Sequence, residues 1–221
     1  MTPRELLGSA IVPGGGEELR LFRRGSDFMI VAGRNELMSS RMSGSEEALA
    51  VMTVERLGDR DAHLLIGGYG MGYTLRASCA ALSAKGKITV VELVPEIVTW
   101  AEQFMAELTA GCLDDPRVAL VIGDVADTIT AGQYDAILLD VDNGPDGLTR
   151  ASNNRLYSPR GLAAAKAALR PGGILAIWSA APDRAFARAL ADAGFAVDEV
   201  AVRARANGKG AKHIIWFATK R

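Results

Sequence analysis

The chain is poor in the residues that carry metals and redox chemistry. It holds two cysteines, Cys79 and Cys112, and two histidines, His63 and His213. Their spacing fits neither a zinc motif nor a dithiol pair, which argues against a disulfide framework and a Cys/His metal centre. Free thiols fit a reducing compartment, and the expected location is the cytoplasm. No apolar run is long enough to span a bilayer. The opening MTPRELLGSAIVPGGG has no long apolar core, so no signal peptide is expected. Charge of one sign is also lacking: 25 Lys and Arg against 26 Asp and Glu leave a net charge of −1. No whole-chain field therefore pulls the protein toward nucleic acid or a membrane surface. There is no Gly-x-x-x-x-Gly-Lys-Ser/Thr, so phosphate chemistry of the P-loop type has no support.

What is present reads as an α/β protein. Apolar residues make up 49% of the 221 positions, and aromatics only 6%. Alternation over Glu18–Arg23 and an apolar run over Asp27–Ala32, with Gly25-Ser26 between them, predict a small N-terminal β-ribbon. Ser43 and Glu46 have the spacing of a capping box for a helix running to about Leu57. From Ala62 the pattern alternates strand and helix. Strands are expected at His63–Ile66, Lys87–Leu93, Val118–Ile122, Ala136–Asp140 and Ile174–Ser179. Helices are expected at Met71–Ser83, Pro95–Leu108, Leu162–Leu169 and Arg184–Ala193. Continuous apolar strands indicate a parallel sheet covered on both faces. The link from Val202 to His213 is too short for a crossover helix, so the last two strands form an antiparallel hairpin. The expected fold is a Rossmann-like, doubly wound, mostly parallel sheet with a terminal antiparallel hairpin strand. Residues 1–57 form the ribbon and a linking helix, and 58–221 the larger domain.

The richest local signal is the turn Gly67-Gly68-Tyr69-Gly70-Met71-Gly72, between a strand and a helix. Such a turn lets backbone approach a ligand, with free N–H groups at the helix start. Ligands of open α/β sheets bind at the carboxyl ends of the strands. Those ends carry Glu92, Asp124 and Asp140, with Asp142 and Asn143 just beyond. Glu92 suits a ribose diol and Asp124 an adenine amine, with Leu93 and Val125 against the ring. Alone, each acid reads equally as a loop or cap residue; three in register behind a glycine turn point to a nucleotide. The long, polar stretch from Asp140 to Tyr157 is the expected acceptor loop, with Arg150, Asn153, Asn154 and Tyr157 as candidate contacts. His63 and His213 read as structural.

Leu64–Arg76, Val90–Glu92 with Pro95-Glu96, Ile122-Gly123-Asp124, Tyr134–Asp140 and Leu169–Gly173 together resemble the class I S-adenosylmethionine-dependent methyltransferase fold. More closely they resemble its spermidine synthase-like branch. Phe28–Arg41 and Ser45-Glu46-Glu47 resemble the ribbon and helix that precede that branch's Rossmann-like domain. The resemblance implies that Gly67, Gly68, Gly70 and Gly72 lie along the cofactor and that Glu92 holds its ribose. It also implies that Asp124 and Val125 meet the adenine, and that Asp140 takes the proton of an attacking amine. It further implies a homodimer. The chain departs from that branch in the glycine turn, where Tyr69-Gly70-Met71 carries no acid. It departs again at Asn143, where a second acid is expected unless Asp142 substitutes.

These departures predict an S-adenosylmethionine-dependent transferase that moves a methyl group to a small-molecule acceptor, with catalytic Asp140 aided by Asp142 or Asn143 and no metal. The rival readings are an aminopropyltransferase using decarboxylated S-adenosylmethionine and a non-catalytic nucleotide-binding protein. No nucleic acid or membrane partner is expected.

Overall fold

The computed structural model describes residues 3–14, 17–141 and 154–221. Its first unit is an antiparallel sheet in the order β1-β2-β3-β4, formed by Glu5–Ile11, Glu18–Arg24, Asp27–Ala32 and Asn35–Ser39. The expected ribbon is its central pair, β2 and β3, joined at Gly25 with φ +63°. The two outer strands escaped the sequence pattern, β1 for a packing reason. Gly8 interrupts the alternation of β1, and a Cβ there would lie 2.5 Å from the indole nitrogen of Trp100. The glycine that blurs the strand signal is what lets β1 settle on the neighbouring helix.

The second unit is a seven-stranded sheet. Its strands are β5 (His63–Gly67), β6 (Lys87–Glu92), β7 (Val118–Ile122), β8 (Tyr134–Leu139), β9 (Leu169–Ser179), β10 (Phe195–Arg203) and β11 (Lys212–Lys220). They lie in the order β10-β11-β9-β8-β5-β6-β7. Strands β5 to β9 pair in parallel, while β11 inserts antiparallel between β9 and β10. The β10–β11 turn therefore lies at the carboxyl end of the parallel strands. This is the expected mostly parallel fold with an antiparallel hairpin.

Alternate strand residues feed two cores. Leu64, Ile66, Val90, Ala136, Leu138, Ile215 and Phe217 face one side. Leu65, Val91, Ile137, Leu139, Leu175, Ile177 and Trp216 face the other. The period of two is that of a strand, and both faces are apolar because both are covered. Helices α1 (Gly44–Leu57), α2 (Tyr73–Ala81) and α3 (Pro95–Phe104) contribute Leu49, Leu75 and Ile97 to the first core. Two short helical segments follow α3, α4 (Ala106–Thr109) and a 3-10 turn at Cys112–Asp114. Helices α5 (Val125–Ala131), α6 (Asn154–Tyr157), α7 (Pro159–Ala168) and α8 (Arg184–Asp192) contribute Ile129, Leu156, Leu162 and Leu190 to the second.

Three local expectations need revision. The helix expected over Pro95–Leu108 breaks at Met105, which is buried and leaves the helical conformation at φ −118°. Helix α7 starts three residues early, because the Ser158 hydroxyl accepts from Gly161 N–H and Pro159 fits the first turn. The capping box does not form. Ser43 makes no side-chain cap, and Glu46 turns inward instead.

Candidate functional site

The glycine turn is built against the end of β8. Gly68 N–H donates to Val91 C=O at 2.9 Å, and Asp140 N–H donates to Gly67 C=O at 3.0 Å. Gly68 sits at φ +88°, and a Cβ on it would run into the Asp140 carbonyl. Only glycine combines that backbone with that approach. Gly70 meets the Met38 side chain of β4, so the N-terminal sheet covers the turn. Gly72, at φ +78°, is the N-cap residue of α2.

A cleft of about 1070 Å³, its solvent mouth included, lies over these strand ends. Gly68, Gly70, Glu92, Leu93, Asp124, Val125 and Asp140 all line it. The N-terminal sheet supplies an aliphatic wall that includes Leu19, Ile30, Leu37 and Met38.

The strand-end acids differ in their surroundings. Glu92 is buried, and its carboxylate accepts from Tyr69 N–H and Val94 N–H, each at 2.9 Å, and from Gly70 N–H at 3.4 Å. Burial raises its pKa, and the backbone donors oppose that rise. Asp124 caps α5 through Ala126 N–H at 2.9 Å and pairs with Arg155 at 2.5 Å. The cap role that one acid alone suggests is thus present, beside its position on the cleft. Asp140 accepts from the Thr74 hydroxyl at 2.7 Å, and burial raises its pKa.

Glu46, on α1, lines the same cleft. It is buried and accepts from the Ser45 hydroxyl at 2.6 Å. Burial, and then the charge of Asp140, raise its pKa. Ser45 also contacts His213 Nδ1 at 2.8 Å, and the His213 ring meets Trp178 edge-on at 4.7 Å. Trp178 lines the cleft as well, and its buried indole N–H has no partner among the described residues. A buried donor left unpaired is costly unless something that accepts comes to it. With the free lone pairs of Glu92 and the apolar walls of Leu93 and Val125, this fits a polar ligand of nucleoside type.

Glu46 is the main residue that sequence reasoning missed, because its spacing from Ser43 looked like a helix cap. Among the other expected contacts, Tyr157 does not line the cleft, although it touches a residue that does. It packs edge-on against Phe186 in the second core, and its hydroxyl donates to Val141 C=O at 3.3 Å. Asn154 begins α6. Asp142, Asn143, Arg150 and Asn153 lie outside the described residues. Among the described residues, no group of three or more His, Cys, Asp or Glu is placed to hold a metal, and no helix is long and apolar enough to cross a membrane.

Comparison with known proteins bears on this site. A polyamine aminopropyltransferase of Sulfolobus acidocaldarius is 30% identical over 138 residues, 62% of this chain and 44% of that protein. Putrescine N-methyltransferase 1 of Nicotiana tabacum is 37% identical over 115 residues, 51% of this chain and 28% of that one. The chain spans less than half the length of the curated relatives it matches. The crystal structure of spermidine synthase from Thermotoga maritima superposes with a TM-score of 0.76 at 18% identity, covering 98% of this chain and 73% of that one. At that identity the likeness shows the fold.

The expectation of methyl transfer is overturned. It rested on the acid missing from the glycine turn. The chain matches a synthase domain over residues 43–183, and the aminopropyltransferase match is the longer of the two. The physical oversight was Glu46: a second carboxyl does reach the cleft, from α1. With the matched residues 43–183 spanning well over half of its length, the chain belongs to the spermine/spermidine synthase domain family.

Proposed function

We propose that the protein transfers an aminopropyl group from decarboxylated S-adenosylmethionine to a small polyamine such as putrescine. The observation that carries this reading is a pair of carboxyls, buried Glu46 and half-buried Asp140, on one cleft beside the glycine turn. An amine acceptor arrives as an ammonium and must lose one proton before its lone pair can attack. Of two such carboxyls with raised pKa values, one can take that proton while the other, ionised, holds the cation.

The nucleotide supplies a sulfonium whose adjacent carbon accepts the new C–N bond as the C–S bond breaks, leaving a neutral thioether. The chain's own contribution is positional and electrostatic. Glu92 holds the glycine turn through two backbone N–H groups and the start of α3 through a third, and offers its remaining lone pairs to ribose hydroxyls. Leu93 and Val125 flank the ring, and Asp124 receives the adenine amine. Thr74 fixes the Asp140 carboxylate, which takes the amine proton. Asp142 and Asn143 sit beside Asp140 in sequence and are assigned to acceptor contact. The active form is a homodimer, which light scattering on the purified protein checks.

Incubation with decarboxylated S-adenosylmethionine and putrescine should yield methylthioadenosine and spermidine in equal amounts by mass spectrometry. No methylthioadenosine with putrescine or any of a panel of short polyamines would overturn the reading.

A further inference from the structure

Glu46 is backed by a hydrogen-bonded chain that aminopropyl transfer does not by itself require. Ser45 Oγ lies 2.6 Å from Glu46 Oε2 and 2.8 Å from His213 Nδ1. Ser45 and Glu46 are buried, while His213 is half-buried, and its Nε2 makes no hydrogen bond to a described residue. The contact spans 168 positions and is enforced by the fold. Gly44 N–H donates to Ala204 C=O at 3.0 Å, and a Cβ on Gly44 would lie 2.5 Å from the backbone of Arg205 and Ala206. A glycine at the start of α1 thus lets the β10–β11 turn come close enough to place His213 against Ser45.

A serine hydroxyl has one proton to give, so the chain has two arrangements. With Glu46 ionised, His213 Nδ1–H donates to Ser45 Oγ and Ser45 donates to Glu46. With Glu46 protonated, its O–H donates to Ser45 and Ser45 donates to His213 Nδ1, whose proton is then on Nε2. Passing from the second arrangement to the first moves one proton from Glu46 to Ser45, one from Ser45 to Nδ1, and one from Nε2 to solvent. Each heavy atom keeps its valence, and the net result is loss of the Glu46 proton to water.

We propose that Ser45 and His213 form a proton exit from the cleft, carrying to solvent the proton that Glu46 receives on the path from the acceptor amine. Both are positioning residues, since neither lines the cleft; Glu46 is the group that does. The titratable and charged groups around Glu46 are Asp140 at the end of β8, Glu47 beside it on α1, and Tyr73 on α2. Glu47 is itself paired with Arg76 at 2.7 Å. Burial lowers the pKa of His213, which keeps the ring neutral and able to switch tautomer. The catalytic use of this exit rests on the aminopropyl-transfer reading; the coupling of Glu46 to His213 does not.

Two experiments separate those parts. The protein has only two histidines, so ¹⁵N-histidine labelling gives two rings, and a His63→Gln variant assigns them. In the ligand-free protein, His213 should pass from the Nε2–H to the Nδ1–H tautomer as pH rises and Glu46 ionises. That switch should vanish in Glu46→Gln and in Ser45→Ala. A His213 tautomer with the same pH profile in wild type and Glu46→Gln would overturn the relay, whatever the enzyme's activity. In the transfer assay, His213→Asn keeps a donor for Ser45 but cannot pass a proton. Its kcat should fall about tenfold or more, with unchanged nucleotide affinity and melting temperature and with recovery on adding imidazole. Full kcat in His213→Asn would also overturn the relay. Absence of aminopropyl transfer in wild type, with the tautomer coupling intact, would overturn the reaction and leave the relay standing.

Discussion

The two ends of the cleft use the same side chain in opposite ways. At the Glu92 end the carboxylate is buried but met by three backbone N–H groups from the turn it faces and from the start of α3. At the Asp140 end, Thr74 gives one hydrogen bond, and the Asp140 charge itself raises the pKa of a second carboxyl, Glu46. The first arrangement holds an ion and fixes a loop. The second raises the cost of ionisation and readies a group for proton transfer. Burial is common to both; the supply of donors decides between scaffold and acid–base chemistry.

The sharpest break of this comparison is Asp140→Asn. It should lower aminopropyl transfer by about 10²–10⁴-fold while nucleotide affinity by calorimetry stays within about threefold. Equal losses in rate and in nucleotide binding would mean that the two ends are not distinct. Gly68→Ala attacks the joint between them, since φ +88° and the Asp140 carbonyl both oppose a Cβ. It should cost about 1–3 kcal/mol of stability in chemical denaturation, together with activity. Glu92→Gln should weaken nucleotide binding by about tenfold with kcat little changed, because the charge-assisted bonds that hold the turn are lost.

Glu46→Gln tests the other end through stability. A carboxyl whose pKa is raised by folding favours the folded state below its unfolded pKa of about 4.3, and that contribution is lost as pH rises through the folded value. The variant, which never ionises, should therefore melt at the same temperature as wild type near pH 4 and above it at alkaline pH. Equal melting temperatures at both extremes would contradict the buried, strained state of Glu46. The smallest effect is expected from Arg155→Ala. Its pair with Asp124 is half-exposed on the Arg155 side, so stability should change by under about 1 kcal/mol. Nucleotide affinity should shift by under about threefold by calorimetry, since Asp124 keeps its cap bond.

Much of the glycine-turn end could be read from the chain because its parts are local. An apolar run, a glycine cluster and an acid at the next strand end are short-range signals, and Gly68, Glu92, Asp124 and Asp140 all fall on the cleft. The part played by Glu46 at the other end was missed for the opposite reason. Ser43 and Glu46 have the spacing of a cap, and a local rule gave a local role. That rule cannot see that Gly44 admits a hairpin tip from 160 residues away, which sets His213 beside Ser45. The contact of His213 with Ser45 is likewise invisible in the sequence, because it joins segments 168 positions apart.

The sequence by itself determined the strand–helix alternation of the larger domain, its parallel core and the glycine turn, because these follow from apolar periodicity and backbone freedom. Tertiary structure alone decided which acids share a cleft, which of them meet donors, and where β11 inserts. Those outcomes depend on desolvation and on contacts between distant segments. Neither is encoded in the spacing of neighbouring residues.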